Sequence, residues 1–125
     1  MTGSVVVDAS ALAAIAFEED EGRDVAMRLA DVELIAPALL RYEMANTCRK
    51  KIIRNPDLRD KLLHQHTLSL AIKVDTHEVD HDATLALAAQ LGLSAYDASY
   101  LWLARHLRIE LVTLDERLQK AVATI

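Results

Sequence analysis

The strongest constraint on the fold is a short run of β-branched residues that ends in an acid. Val5, Val6 and Val7 stand together, and Asp8 follows them directly. An unbroken apolar run of this kind is typical of a strand that is buried on both faces of a parallel sheet. Binding sites in open parallel sheets form at the carboxyl ends of the strands. The run therefore predicts an α/β protein with Asp8 at the edge where such a site would lie.

Helical patterns alternate with short strand patterns along the rest of the chain. This alternation favours a three-layer α/β/α sandwich with a short, mostly parallel sheet. Asn55-Pro56 and Gly92 mark the ends of two helices, because proline and a left-handed glycine both interrupt helical hydrogen bonding. The predicted helices cover residues 9–18, 22–30, 38–53, 57–70, 80–91 and 94–107 and begin again at 115, and the further strands cover 34–36, 71–74 and 109–113.

Length and composition fit a single domain over residues 1–125. The chain has 125 residues, of which 52% are hydrophobic, and this is enough for a core that needs no disulfide. Its single cysteine, Cys48, cannot pair within the chain, so a reducing, cytoplasmic location is the expectation. The apolar N-terminus lacks a basic flank and no apolar run is long enough for a membrane span, so neither a signal peptide nor a membrane helix is expected.

Charge is distributed unevenly along the chain. The formal net charge is −5, whereas general nucleic-acid binders are usually basic. The acidity fits better with a site that collects carboxylates and uses cations. Positive side chains crowd one stretch, where they form either a solvated helix face or a contact surface for phosphates. The candidates for RNA contact are Arg41, Arg49, Lys50 and Lys51.

Three more acids occupy positions that can converge on Asp8. Asp115 follows the last predicted strand after one residue, and Asp97 lies in the first turn of its helix. Glu43 lies one turn into its helix, beside the buried stripe. Each acid has an ordinary alternative role, as a helix cap or a surface residue. Four carboxylates at one edge, however, repel one another unless they hold a cation, and oxygen ligands favour Mg²⁺ or Mn²⁺.

Four strings of the chain resemble, in order, the four motif regions of PIN-domain nucleases. They are VVVDASALAAIAFEE, YEMANTCRK, LSAYDASYLWLA and LVTLDERLQKA. The resemblance runs from near residue 4 to near residue 120, which is almost the whole chain. Within the family, the strings are similar to those of VapC-type toxins from bacterial toxin–antitoxin pairs. The resemblance implies a PIN-like α/β/α sandwich.

The resemblance also implies a metal-dependent endoribonuclease, whose products carry a 5′-phosphate and a 3′-hydroxyl. Ser10 and Thr113 match positions where a hydroxyl group often supports the site. The implied partners are an RNA substrate, a second copy of the chain in a homodimer, and a VapB-like antitoxin that blocks the active site. The acidic site of the family, with one or two Mg²⁺ or Mn²⁺ ions, falls on Asp8, Glu43, Asp97 and Asp115.

Other features leave three alternatives. Residues 77–81 match the HExxH string of zinc metalloproteases, which needs one continuous helix to bring His77 and His81 onto the same face. The string falls where a predicted strand gives way to a helix, so a polar connection is the simpler interpretation. An aspartate after a valine run also fits a receiver-like domain, although Asp8 lacks the adjacent acid that such sites use. The third alternative is a PIN fold that only binds partners, and the presence of all four acids argues against it.

Overall fold

A four-stranded parallel sheet organises the molecule. The computed structural model describes residues 3–123, and its strand order is β3-β2-β1-β4. The strands are β1 (Ser4–Val7), β2 (Glu33–Pro37), β3 (Asp75–His77) and β4 (Glu110–Val112). The helices are α1 (Ala9–Ala16), α2 (Gly22–Leu29), α3 (Leu40–Arg54), α4 (Arg59–Ser69), α5 (His81–Leu91), α6 (Ala95–Leu107) and α7 (Glu116–Ala123), with a 3₁₀ turn (Pro56–Leu58) before α4.

The valine run forms the buried centre of the sheet, as its composition predicted. Strand β1 lies between β2 and β4, and Val6 and Val7 have no solvent exposure. In the register between β1 and β4, Val7 pairs with Val112. Asp8 and Thr113, the next residue after each strand, therefore lie at the same edge of the sheet.

Two groups of helices complete the predicted α/β/α sandwich. Helices α1 to α4 pack among themselves, whereas α5 and α7 pack against α6, which contacts β1, β2 and β4. Leu40, Met44 and Cys48 form the buried stripe of α3 that their four-residue spacing predicted. Within residues 3–123, no helix combines the length and the apolar character needed to cross a membrane.

The prediction of a third strand over residues 71–74 was wrong. Strand β3 begins at Asp75, and its register with β2 pairs Ile35 with Asp75 and Pro37 with His77. The preceding apolar residues form a turn, where the carbonyl oxygen of Ile72 accepts a hydrogen bond from Arg41 at 2.8 Å. Strand β3 itself is polar and largely exposed, so hydrophobicity pointed to the apolar turn before it.

The HExxH string does not lie on one helix. His77 is the last residue of β3, and His81 is the first residue of α5. Asp80 between them is the N-cap of α5, where its side chain accepts a hydrogen bond from the backbone of Ala83 at 2.9 Å. The two histidines therefore cannot occupy one helical face, and the strand-to-helix interpretation is correct.

Gly22 allows α2 to begin directly against α1. A Cβ atom built on Gly22 would lie 2.2 Å from the carbonyl oxygen of Ala14, which is backbone and cannot turn aside. We expect Gly22→Ala to lower the free energy of unfolding by about 2 kcal/mol, within the usual cost of overpacking. Thermal melts would measure the loss. Gly92→Ala is the matched control, because Gly92 has φ +67° but open space around it. A smaller loss at Gly22 than at Gly92 would contradict the packing argument.

Candidate active site

Asp8 is a buried carboxylate at the carboxyl end of β1. Only 4% of its surface is exposed, and it is the N-cap of α1, accepting a hydrogen bond from the backbone N–H of Ala11 at 3.0 Å. Two hydroxyl groups donate to its carboxylate: Ser10 to Oδ1 at 2.7 Å and Thr113 to Oδ2 at 2.6 Å. Burial raises the pKa of Asp8, the hydroxyl donors lower it, and the charge of Asp115 raises it further.

The same two hydroxyl groups fix the turn that carries Asp115. The Oγ of Ser10 accepts a hydrogen bond from the backbone N–H of Leu114 at 2.9 Å, and the Oγ1 of Thr113 accepts one from the N–H of Asp115 at 3.0 Å. Asp115 in turn accepts a hydrogen bond from Leu118 in the first turn of α7 at 3.0 Å. The hydroxyl residues thus tie the end of β1 to the end of β4, and Asp115 has a capping role beside its position near Asp8.

Glu43 is held by a tyrosine whose contact the sequence did not predict. Its Oε1 accepts a hydrogen bond from the hydroxyl of Tyr100 at 2.5 Å, across a separation of 57 residues. Tyr100 is 1% exposed, so the donor is fixed in the core. Burial raises the pKa of Glu43, the Tyr100 hydroxyl lowers it, and the charges of Asp97 and Asp8 raise it. One signal was available, because Tyr100 follows Asp97 by one helical turn.

Asp97 lies in the first turn of α6, beside the N-cap Ser94. The Oγ of Ser94 accepts a hydrogen bond from the backbone N–H of Asp97 at 3.0 Å, as the predicted capping arrangement requires. Burial raises the pKa of Asp97, and the charge of Asp115 raises it further, while Ser94 and Arg117 lower it. This cap uses only the backbone of Asp97, so it explains neither the carboxylate at this position nor its closeness to Asp115.

The structure therefore connects all four predicted acids through electrostatic repulsion between pairs of them. Asp115 opposes the ionisation of Asp8 and Asp97, and those two oppose the ionisation of Glu43. Three of the four come from the starts of helices, and Glu43 lies one turn into α3. We refer to Asp8, Glu43, Asp97 and Asp115 as the acid cluster.

The acid cluster offers only carboxylate oxygens, which suits a hard divalent cation rather than zinc. Both oxygens of Asp8 face hydroxyl donors, and one oxygen of Glu43 faces Tyr100. Within residues 3–123, no three His, Cys, Asp or Glu side chains form a preassembled ion site. The donor set thus fits Mg²⁺ or Mn²⁺ by its chemistry, and an ion would have to draw the carboxylates together.

Two of the four basic candidates for RNA contact have structural partners. Arg41 donates to the carbonyl oxygens of Ser69 at 3.3 Å and Ile72 at 2.8 Å, and so fixes the end of α4. Lys51 forms an ion pair with Glu19 at 2.6 Å. Both side chains therefore have a structural role within the fold, and contact of either one with RNA stays a prediction.

The cations that act on the acid cluster are Lys50 and Arg117. Lys50 lowers the pKa of Glu43, and Arg117 lowers the pKa of Asp97. Both side chains are exposed, as is that of Arg49. Arg117 was not among the predicted contacts, although its place two residues after Asp115, at the start of α7, was visible in the sequence. Positive charge therefore borders the acids from α3 on one side and α7 on the other.

Comparison with known proteins assigns the chain to a family. The family described as PIN domain matches residues 5–123, so the chain belongs to the PIN domain family. Ribonuclease VapC3 of Pyrobaculum aerophilum is 34% identical to this chain over 120 residues, which cover 91% of this chain and 91% of that protein. The predicted resemblance to PIN-domain nucleases of the VapC type is thereby confirmed.

Two solved structures share the fold. PAE2754 from Pyrobaculum aerophilum superposes with a TM-score of 0.73 at 29% identity, covering 97% of this chain and 87% of that one. VapC20 of Mycobacterium tuberculosis, described as a toxin that cleaves the sarcin-ricin loop, gives a TM-score of 0.67 at 16% identity over 94% of this chain and 95% of that one. At the lower identity the likeness supports the fold alone, and both confirm the PIN-like architecture.

Proposed function

We propose that this chain is a metal-dependent endoribonuclease, the toxin of a type II toxin–antitoxin pair, and that residues 1–125 form one nuclease domain. The observation that carries the proposal is the acid cluster at the carboxyl end of a parallel sheet, where Asp115 opposes the ionisation of Asp8 and Asp97, and those two oppose that of Glu43. Membership of the PIN domain family and similarity to Ribonuclease VapC3 support RNA as the substrate. The reaction is hydrolysis of a phosphodiester to a 5′-phosphate and a 3′-hydroxyl.

The roles within the site follow from how each side chain is held. Asp8 keeps one orientation because Ser10 and Thr113 both donate to it. Tyr100 fixes Glu43. Bound Mg²⁺ or Mn²⁺ supplies a water nucleophile of lowered pKa and balances the charge that develops on the phosphoryl oxygens. The residues that would hold the ion are Asp8, Glu43, Asp97 and Asp115.

The surroundings of the acid cluster define the proposed partners. Carboxylates repel phosphate, so approach of the RNA backbone is favoured where Lys50 and Arg49 on α3 and Arg117 on α7 are exposed. We assign the phosphate contacts to these three residues. A homodimer, a VapB-like antitoxin that covers the acids, and a cytoplasmic location complete the proposal.

A metal-restoration assay tests this function against the zinc alternative. Protein treated with a chelator should not cleave RNA, and Mg²⁺ or Mn²⁺ should restore cleavage because only carboxylate oxygens are available. His77→Ala and His81→Ala should each keep activity within about twofold of the wild type, since neither residue belongs to the acid cluster. Restoration of RNA cleavage by zinc alone, together with loss of cleavage in both histidine variants, would mean that residues 77–81 and not the acid cluster carry the activity.

A further inference from the structure

Two exposed tyrosines lie next in sequence to two residues of the acid cluster. Tyr42 precedes Glu43 on α3, and Tyr96 precedes Asp97 on α6. Their side chains are far more exposed than is usual for a tyrosine, at 80% for Tyr42 and 66% for Tyr96. Neither ring packs in the core, and no role within the fold accounts for them. An exposed aromatic ring that borders a reaction centre offers a flat surface for a planar ligand.

Both tyrosines line one groove that includes a member of the acid cluster. The groove has a volume of about 320 Å³ and is lined by Leu39, Tyr42, Glu43, Asn46 and Tyr96. Four of these residues are spaced as i, i+3, i+4 and i+7, so they share one face at the start of α3. Tyr96 closes the groove from the start of α6. Because Glu43 is part of the lining, any occupant lies beside the proposed metal site.

The chemistry of the groove suits a nucleotide base. Aromatic rings stack on the faces of unpaired bases, and this contact tolerates any sequence because every base has a π-face. Asn46 adds an amide that can both donate to and accept from a base edge. The volume of about 320 Å³ is that of a small-ligand site.

The charge of the chain gives stacking a particular importance here. The net charge is −5, and the acid cluster repels a phosphate backbone. Two basic side chains of α3, Arg41 and Lys51, are already used inside the fold. Arg49, Lys50 and Arg117 remain exposed, and contact with the uncharged face of a base adds affinity that does not depend on charge.

We infer that Tyr42 and Tyr96 form a stacking site for one unpaired base beside the scissile phosphate. This inference rests on the proposed ribonuclease function and adds that the substrate is single-stranded, or has a splayed base, at the point of cleavage. The two rings bind the substrate and take no part in bond breaking. Their removal should therefore weaken substrate binding more than it slows the chemical step.

The test uses a synthetic oligonucleotide with the sequence around the natural cleavage position. The cleavage position is first mapped on total RNA with the wild-type chain and Mn²⁺, and a synthetic fragment that spans it becomes the probe. Tyr42→Ala and Tyr96→Ala should each raise KM by about tenfold, with kcat changed much less. Tyr42→Phe and Tyr96→Phe keep the ring and should stay within about twofold of the wild type. Leu85→Ala removes an equally exposed apolar side chain of α5, outside the groove, and should have no effect.

A second probe makes the test specific for stacking. The same fragment is prepared with an abasic residue on either side of the cleavage point. The abasic fragment that lacks the stacked base should give the wild type the same KM as the alanine variants. The alanine variants should have equal KM values for this fragment and for the intact one. Equal KM values for wild type and both alanine variants on the intact fragment would overturn the inference.

Other occupants of the groove give different results. If it held a second copy of the chain, the alanine variants would lose self-association in light scattering, and the abasic fragment would be cleaved normally. If it held only an antitoxin, antitoxin binding would fall while KM stayed unchanged. Either result would overturn the inference but leave the nuclease assignment standing. Absence of any RNA cleavage by the wild type would contradict the proposed function and, with it, this site.

Discussion

Asp8→Asn, Glu43→Gln and Asp97→Asn should each lower RNA cleavage on the order of a thousandfold, or about 4 kcal/mol of transition-state stabilisation. Each substitution keeps the shape of the side chain and removes one negative charge from the acid cluster. The effect is large because the remaining acids would hold a divalent ion less tightly. Asp115→Asn should have a smaller effect, because the last acid of such a site can lie farther from the ion than the other three.

A cleavage assay with a labelled RNA and Mn²⁺ measures these losses, and circular dichroism verifies that each variant is folded. Asp80→Asn is the matched control. Asp80 is also an aspartate N-cap, and its side chain accepts a hydrogen bond from the backbone N–H three residues later. It lies at the start of α5, outside the acid cluster. It should keep full activity. In cells, the Asp8→Asn form should be tolerated where the wild type slows growth. Full activity of Asp8→Asn and Asp97→Asn would refute the site.

The parts of this site that the sequence predicted are those fixed by local rules. Asp8 was predictable because a valine run ends at it and parallel strands share an edge. Asp97 was placed in the first turn of its helix, and it lies there in the structure, with Ser94 as the N-cap. Such relations extend over a few residues and need no knowledge of how distant segments pack.

The parts that escaped prediction depend on contacts between distant segments. Tyr100 meets Glu43 across 57 residues, and no spacing rule connects α6 to α3. Arg41 was predicted only as a candidate for RNA contact, and its hydrogen bonds to carbonyl oxygens 28 and 31 residues later were not predicted. Strand β3 was misplaced because its own residues are polar, whereas β4, the other edge strand, has two buried apolar residues and lies within its predicted range. Each case needed the tertiary structure to show which partner was within reach.

The last prediction concerns the stability of the protein without metal. Asp97→Asn should raise the melting temperature of the metal-free protein by a few degrees, because it removes a charge that burial and Asp115 both oppose. Asp8→Asn should give little or no gain, because the Asp8 carboxylate accepts hydrogen bonds from Ser10, Thr113 and Ala11. For Asp8, loss of those acceptors offsets the relief of repulsion. Asp80→Asn should be neutral or slightly destabilising, as for an ordinary cap.

The change of stability with pH and with metal distinguishes a charge in the acid cluster from an ordinary helix cap. The pKa of Asp97 is raised in the folded state from its ordinary value of 3.8, so the folded protein binds that proton more tightly than the unfolded chain. Stability from this group therefore falls as the pH rises from about 3.8 through the raised value, and the advantage of Asp97→Asn should grow over the same window.

Mg²⁺ or Mn²⁺ at a hundred times its Kd should stabilise the wild type by about 2.7 kcal/mol, and the variant less, since binding only the folded state adds stability by mass action. Melts of the wild type, Asp97→Asn and Asp80→Asn at pH 4 to 7, with and without metal, would measure both effects. A pH-independent loss of stability in Asp97→Asn, with no response of the wild type to metal, would mean that Asp97 serves only as part of a helix start.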